Sequence, residues 1–133
     1  MIRLSPATPA GPAAAALPAQ PIPLLDARVV AVLRDADELT APLQELVTAY
    51  GWGAVWTRPG LDRRTRSLLN LAMLTALNRP HELKGHIRGA LTNGVTRAEI
   101  AEVFLQAGVY CGLPAALDSA RVAKETFAEL DRG

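Results

Sequence analysis

At 133 residues the chain has room for one domain. Half of it is apolar and only 5% aromatic, and its Ala and Leu content favours helix over sheet. A net charge of +1 provides no field for a polyanion or an anionic membrane, which argues against nucleic acid as a partner. The one cysteine, Cys111, cannot form an internal disulfide, which suits a reducing, cytoplasmic setting.

Residues 1–23 are rich in Ala and Pro. Such a stretch buries too little to offset its ordering entropy, so it reads as a disordered tail ahead of a helical domain over 24–133. Its prolines leave no apolar run for a secretory signal, and no segment reaches the roughly 20 apolar residues of a membrane span. A short helix is expected over 26–35. Thr40 reads as an N-cap, with Pro42 tolerated in the first turn. Leu43, Leu46, Val47 and Tyr50 follow at helical spacing, and Gly51 is expected to end the element. The glycines and proline of Gly51–Leu61 predict a loop, packed through Trp52 and Trp56.

Asp62 can cap a helix from Arg63 to about Leu77. Its residues are apolar nearly all round, which predicts a central, buried element. Asn78-Arg79-Pro80 breaks it. Pro80 opens the next helix, which runs to about Asn93 with Gly94 as its stop. Thr96-Arg97-Ala98-Glu99 spells a capping box, with Val95 and Ile100 placed as a hydrophobic staple. That helix ends near Tyr110-Cys111-Gly112, and Pro114 can start the last one, through Val122, Phe127 and Leu130. The expectation is an all-α compact bundle of five to six helices without a strand. Its apolar helix surface exceeds what one small chain can bury, which predicts a homo-oligomer.

Glu82 and His86 stand four apart on a predicted helix and share one face. A carboxylate one turn from an imidazole can orient it and raise its pKa, an arrangement suited to proton transfer. The same spacing also occurs in solvated surface pairs. Arginine grips carboxylates bidentately. Arg58, beside Trp56 in the Trp/Gly segment, is the first binding candidate, and Arg66, in an otherwise apolar helix, is the second. Cys111 has no adjacent base and reads as a small core hydrophobe. No metal spacing, phosphate loop or serine-nucleophile motif is present.

Several motifs occur in order over residues 43–130. They are Trp52-Gly53, Trp56-Thr57-Arg58-Pro59-Gly60-Leu61, Arg66-Ser67-Leu68, Glu82-Leu83 with His86, Asn93-Gly94-Val95-Thr96, Glu99-Ile100, Glu102-Val103 and Tyr110-Cys111-Gly112-Leu113-Pro114-Ala115-Ala116. This ordered set resembles the carboxymuconolactone decarboxylase family, whose helical fold is alkylhydroperoxidase-D-like. The peroxidase branch of that superfamily uses a Cys-x-x-Cys-His segment. Here the matching stretch reads Glu82-Leu83-Lys84-Gly85-His86, so dithiol cycling is not expected.

The resemblance implies cofactor-free decarboxylation of 4-carboxymuconolactone to 3-oxoadipate enol-lactone, in the protocatechuate branch of the beta-ketoadipate pathway. It also implies a small-molecule dicarboxylate lactone as partner and a homo-oligomer, trimer or hexamer. The implied roles are proton delivery by His86, orientation by Glu82, carboxylate binding by Arg58 with Arg66 in support, and a pocket wall from Trp56. The sequence departs from the family where a Val-Leu-Gly-Asp-Ala-His-like stretch is usual. It has Val32-Leu33-Arg34-Asp35-Ala36-Asp37 instead, which leaves room for a different substrate. A biosynthetic homologue acting on another carboxylated, conjugated ring is one alternative. A non-catalytic helical scaffold is the other, and it expects Glu82 and His86 to face solvent.

Overall fold

The computed structural model describes residues 33–133. These fall into two compact units that divide between Arg58 and Pro59. The predicted tail over 1–23 and most of the predicted helix over 26–35 lie outside the described residues; Leu33 and Arg34 are helical. No strand occurs among the described residues.

In the first unit, Asp37 organises the start. Its carboxylate accepts from the backbone N–H of Leu39 at 3.1 Å and from that of Thr40 at 2.8 Å. It also accepts from the Thr40 hydroxyl at 2.8 Å. Thr40 itself already has helical dihedrals and caps no N–H of the following helix. The predicted N-cap at Thr40 is therefore corrected. A carboxylate can take several donors at once, and the Thr40 hydroxyl is engaged with Asp37 instead. The aspartate that departs from the family pattern has a local structural job here.

Helix α1 (Ala41–Leu46) carries Pro42 in its first turn and continues into a π-helix, Val47–Val55. The Trp56 N–H closes onto the Gly51 carbonyl at 3.0 Å, the five-residue bond of this wider helix. The predicted stop at Gly51 and the loop directly after it are thus corrected. A glycine ends a helix by turning to positive φ, and neither Gly51 nor Gly53 does so. The π-helix ends at Val55, with Trp56 as its C-cap still in helical dihedrals.

The second unit holds four helices: α2 (Arg63–Ala76), α3 (Pro80–Thr92), α4 (Arg97–Cys111) and α5 (Leu113–Arg132). Their boundaries follow local chemistry. Asp62 accepts from the Thr65 N–H at 2.6 Å and caps α2. Asn78, at φ +53°, turns the chain after α2, and Pro80 opens α3. The Thr96/Glu99 capping box is formed in both directions, and the staple residues Val95 and Ile100 are both buried. Gly112, at φ +113°, makes the tight corner between α4 and α5, a conformation that L side chains avoid.

Around the bundle the order is α2, α3, α5, α4, with each helix packed on its two neighbours. Leu71, Leu83, Ile87, Ile100, Phe104 and Ala123 form the centre. Each large side chain there contributes roughly 1.5–3 kcal/mol through burial. Ion pairs tie the outer surfaces of neighbouring helices. Glu129 on α5 takes both Lys84 at 2.7 Å and Arg88 at 2.5 Å from α3. Asp131 on α5 takes Arg97 of α4 at 2.5 Å, and that guanidinium also lies over the Phe127 ring. Arg64 of α2 pairs with Glu99 of α4.

Two expectations about burial are corrected. Helix α2 is not buried all round. Ser67, Leu71 and Thr75 face the core, while Leu69, Met73 and Leu77 are exposed. A helix at the corner of a four-helix bundle covers its inner face only. Cys111 is exposed rather than in the core. Its spacing matches the buried Phe104, Ala107 and Gly108, but α4 ends at this residue, past the last buried layer.

Candidate active site

His86 sits in the middle of α3, between the core residues Leu83 and Ile87, and is half-buried. Glu82 lies one turn earlier, exposed, in the first turn of the helix. There its charge also complements the helix dipole. The sequence reading expected Glu82 to raise the pKa of His86. Glu82 does pull in that direction, but burial is the larger effect and pushes the imidazole below its ordinary 6.5. At neutral pH the ring is therefore uncharged.

The group facing Nδ1 comes from the neighbouring helix. Asn70 on α2 places its amide nitrogen 3.3 Å from His86 Nδ1. Sequence reasoning did not single out Asn70. The available signal was an amide in the interior of an apolar helix, one turn from Arg66, at a place where asparagine is a poor helix former. Arg66 is partly buried, with its Nε shielded from solvent. Close by, Asn93 donates to the buried Ser67 hydroxyl at 3.0 Å.

Helices α2 and α3 are joined by a short turn and run antiparallel, as the Asn70–His86 and Ser67–Asn93 contacts require. Arg66 and Glu82 therefore lie on opposite sides of the Asn70–His86 contact. Each is displaced about 6 Å along the helix pair, one turn of α-helix. Two i,i+4 pairs, Arg66/Asn70 and Glu82/His86, thus give an axial sequence of cation, amide with neutral imidazole, and carboxylate. Such a row can hold an anionic substrate at one end and handle a proton at its centre.

Trp56 and Arg58 belong to the first unit. Trp56 packs on Trp52, with ring centroids 5.2 Å apart and planes tilted by 39°. Arg58 is exposed, and its backbone N–H turns back to the Val55 carbonyl at 3.1 Å. A groove of about 420 Å³ runs between α4 and α5, past Ile100, Phe104 and Phe127. None of Glu82, His86, Arg66, Trp56 and Arg58 lines it. Among the described residues, no group of three or more His, Cys, Asp or Glu is placed to hold a metal ion. No helix among them is long and apolar enough to cross a membrane.

Residues 41–125 match the model of the carboxymuconolactone decarboxylase family. The chain is 47% identical over 102 residues to a nitrosuccinic acid decarboxylase of Metarhizium robertsii, covering 76% of this chain and 71% of that one. It is 41% identical over 98 residues to a 4-carboxymuconolactone decarboxylase of Acinetobacter baylyi, covering 74% and 73%. It is 33% identical over 102 residues to an uncharacterized 15.0 kDa protein of Paracoccus denitrificans, covering 74% and 75%. The ordered motifs, the helical bundle and these matches agree: the chain belongs to the carboxymuconolactone decarboxylase family.

Proposed function

We propose that the chain is a cofactor-free decarboxylase of a small dicarboxylate whose leaving carboxylate sits on a carbon conjugated to an electron acceptor. The observation that carries this reading is the half-buried His86 between Arg66 and Glu82, in a chain whose relatives include two named decarboxylases. The named substrates share their chemistry. In 4-carboxymuconolactone, the carbon–carboxylate bond breaks and its electron pair spreads through the ring double bond to the lactone oxygen. In nitrosuccinic acid the same pair is taken up by the nitro group. Carbon dioxide leaves in both cases, and the carbanion ends by taking a proton. Each substrate is its own electron sink, and each keeps a second carboxylate as a handle.

The protein then has three tasks: to grip a dianion, to stabilise the developing oxyanion with fixed donors, and to deliver one proton to carbon. His86 delivers the proton, with Glu82 as its anionic neighbour. A dianionic substrate arriving beside a neutral imidazole favours its protonated form, which supplies the acid. Arg66 binds a carboxylate. Arg58 and Trp56 keep the roles that family resemblance implies, carboxylate binding and a pocket wall. The exposed Leu69, Met73 and Leu77 on α2, and Leu105, Val109, Leu113 and Leu117 on α4 and α5, support a homo-oligomer; its number, a trimer or hexamer, is what the family resemblance implies.

The lactone is the first substrate to test, with product 3-oxoadipate enol-lactone. Nitrosuccinate is the second, favoured by the 47% identity to its decarboxylase. Purified protein is incubated with each, freshly made, and carbon dioxide release is followed. Release from either supports the reading, and the larger kcat/KM names the substrate. No release from both, by a folded protein, overturns it in favour of another carboxylated ring or of the scaffold.

A further inference from the structure

We infer that the groove between α4 and α5 receives the Ala41–Val55 helix of a second copy of this chain. The inference rests on the reading of the chain as a homo-oligomer and names two surfaces that meet in it. The first is the groove itself, about 420 Å³ in volume. It is lined by the buried Ile100, Phe104 and Ala123 and by the exposed alanines Ala101, Ala120 and Ala128. Alanine side chains leave room for large residues from outside, which is how a groove accepts the ridge of another helix. The Arg97–Asp131 ion pair stands at one end. Toward the other end, Leu105 and Leu117, each 59% exposed, follow one turn from Ala101 and Ala120 and continue the apolar face.

The second surface is the helix over Ala41–Val55, in which no residue is buried. Leu43, Leu46, Val47 and Tyr50 fall at i, i+3, i+4 and i+7 and form one apolar face, each of them at least 52% exposed. A helix this short is marginal in water and gains its stability by packing such a face. Two features fit it to the groove. Leu43 to Tyr50 spans about 10 Å of helix, as Arg97 to Phe104 does along α4. The charges are also complementary. Residues 35–57 hold four carboxylates, Asp35, Asp37, Glu38 and Glu45, and no lysine or arginine. The groove presents Lys124, beside an Arg97 whose charge Asp131 already balances. Each chain carries one helix and one groove, so two copies that exchange helices close a symmetric pair.

Cross-linking between distinguishable copies tests this. The one native cysteine, Cys111, is exposed, so Cys111→Ser is the background. Leu46→Cys is placed in one full-length chain and Ala120→Cys in another carrying a different tag. The two are co-expressed, so that mixed oligomers form, and treated with a short bismaleimide. The expected product is the covalent heterodimer, in roughly 10-fold excess over either homodimer. Adding Leu43→Glu to the helix-bearing chain, with its helical spectrum unchanged, should cut that product by roughly 10-fold, the effect of losing an anchor from a helix-in-groove contact. Statistical product ratios, or no heterodimer from chains that light scattering shows to be oligomeric, overturn the pairing and leave the oligomer standing. A chain carrying both cysteines that links only within itself puts the helix in its own groove and overturns the exchange. A parent protein that is monomeric at every concentration overturns the oligomer reading and this inference with it.

Discussion

Glu82 stands one helical turn from His86 and pulls its pKa upward, yet burial of the imidazole outweighs that pull. The pair is thus not a simple solvated contact. The folded chain holds His86 neutral where an unfolded one would begin to protonate it. The sign of the pH effect follows. Between the ordinary 6.5 of the unfolded state and the lower folded value, the unfolded chain binds more protons, so stability rises with pH in that window. The contribution of His86 is complete above 6.5 and is lost as pH falls through the folded value.

Urea midpoints at pH 7.5 and 5.5 test this. The parent protein is expected to lose stability on acidification across that interval, and His86→Gln to lose less. Equal losses in the two proteins would remove His86 as the cause. Glu82→Gln takes away an upward pull, so the His86 pKa should fall further, followed by the imidazole C2–H proton shift. A rise on that substitution contradicts the balance of burial over charge.

Helices α4 and α5 pack closely at Gly108. A Cβ added there would meet the Ala116 methyl and the Leu113 Cδ2, each at 3.1 Å. Leu113 can rotate away, but Ala116 cannot. Gly108→Ala gains about 1 kcal/mol of helix propensity and loses more by overpacking, typically 1–3 kcal/mol. The expected outcome is net destabilisation in chemical denaturation. A matched control, Gly85→Ala on α3, where an added Cβ meets nothing within 4 Å, should stabilise. Stabilisation by both substitutions would show that α5 yields freely at this contact.

Much of the second unit was legible because its boundaries are set locally. Asp62, Pro80, the Thr96/Glu99 box and the Val95/Ile100 staple each act within a few residues, and spacing reveals them. The misreadings share another cause. Gly51 looked like a stop, but a glycine's composition does not report its φ, and the π-helix depends on five-residue bonds that no apolar period announces. Exposure of Met73 and Cys111 depends on what lies opposite each residue, which a single helix does not encode. Of the candidate site, Glu82 and His86 were visible as an i,i+4 pair. Asn70 was hidden because its partner lies 16 residues away across a helical hairpin. Arg66 was visible only as a charge out of place.

The capping box gives a prediction that involves two helices. Thr96 Oγ1 accepts from the Glu99 N–H at 3.1 Å, and the Glu99 carboxylate accepts from the Thr96 N–H at 2.9 Å. The same carboxylate pairs with Arg64 of α2, so one residue both starts α4 and ties it to α2. Thr96→Ala should cost about 0.5–2 kcal/mol, the usual value of a lost N-cap, and Thr96→Ser should recover most of it. Glu99→Gln retains an acceptor for the box but weakens the tie to Arg64, so its effect should shrink in high salt. A Glu99→Gln effect insensitive to salt would assign the loss to the cap alone.

Helix α2 offers a comparison between its two faces. Leu71 is 0% exposed and Met73 52%, two residues apart on one helix. Leu71→Ala removes core volume that the bundle cannot refill completely and should cost 2–5 kcal/mol, roughly the range for such truncations. Met73→Glu touches no core contact of the chain, so a monomer should tolerate it with little change in its denaturation midpoint. If the Leu69, Met73 and Leu77 stripe is covered by a second copy, the same substitution buries a charge without a partner and drives the copies apart. Light scattering after gel filtration separates the cases. A fall in mass for Met73→Glu with an unchanged helical spectrum places the stripe in the subunit contact. An unchanged mass leaves it facing solvent and moves the contact to Leu105, Val109, Leu113 and Leu117, where Val109→Glu is then the substitution to measure.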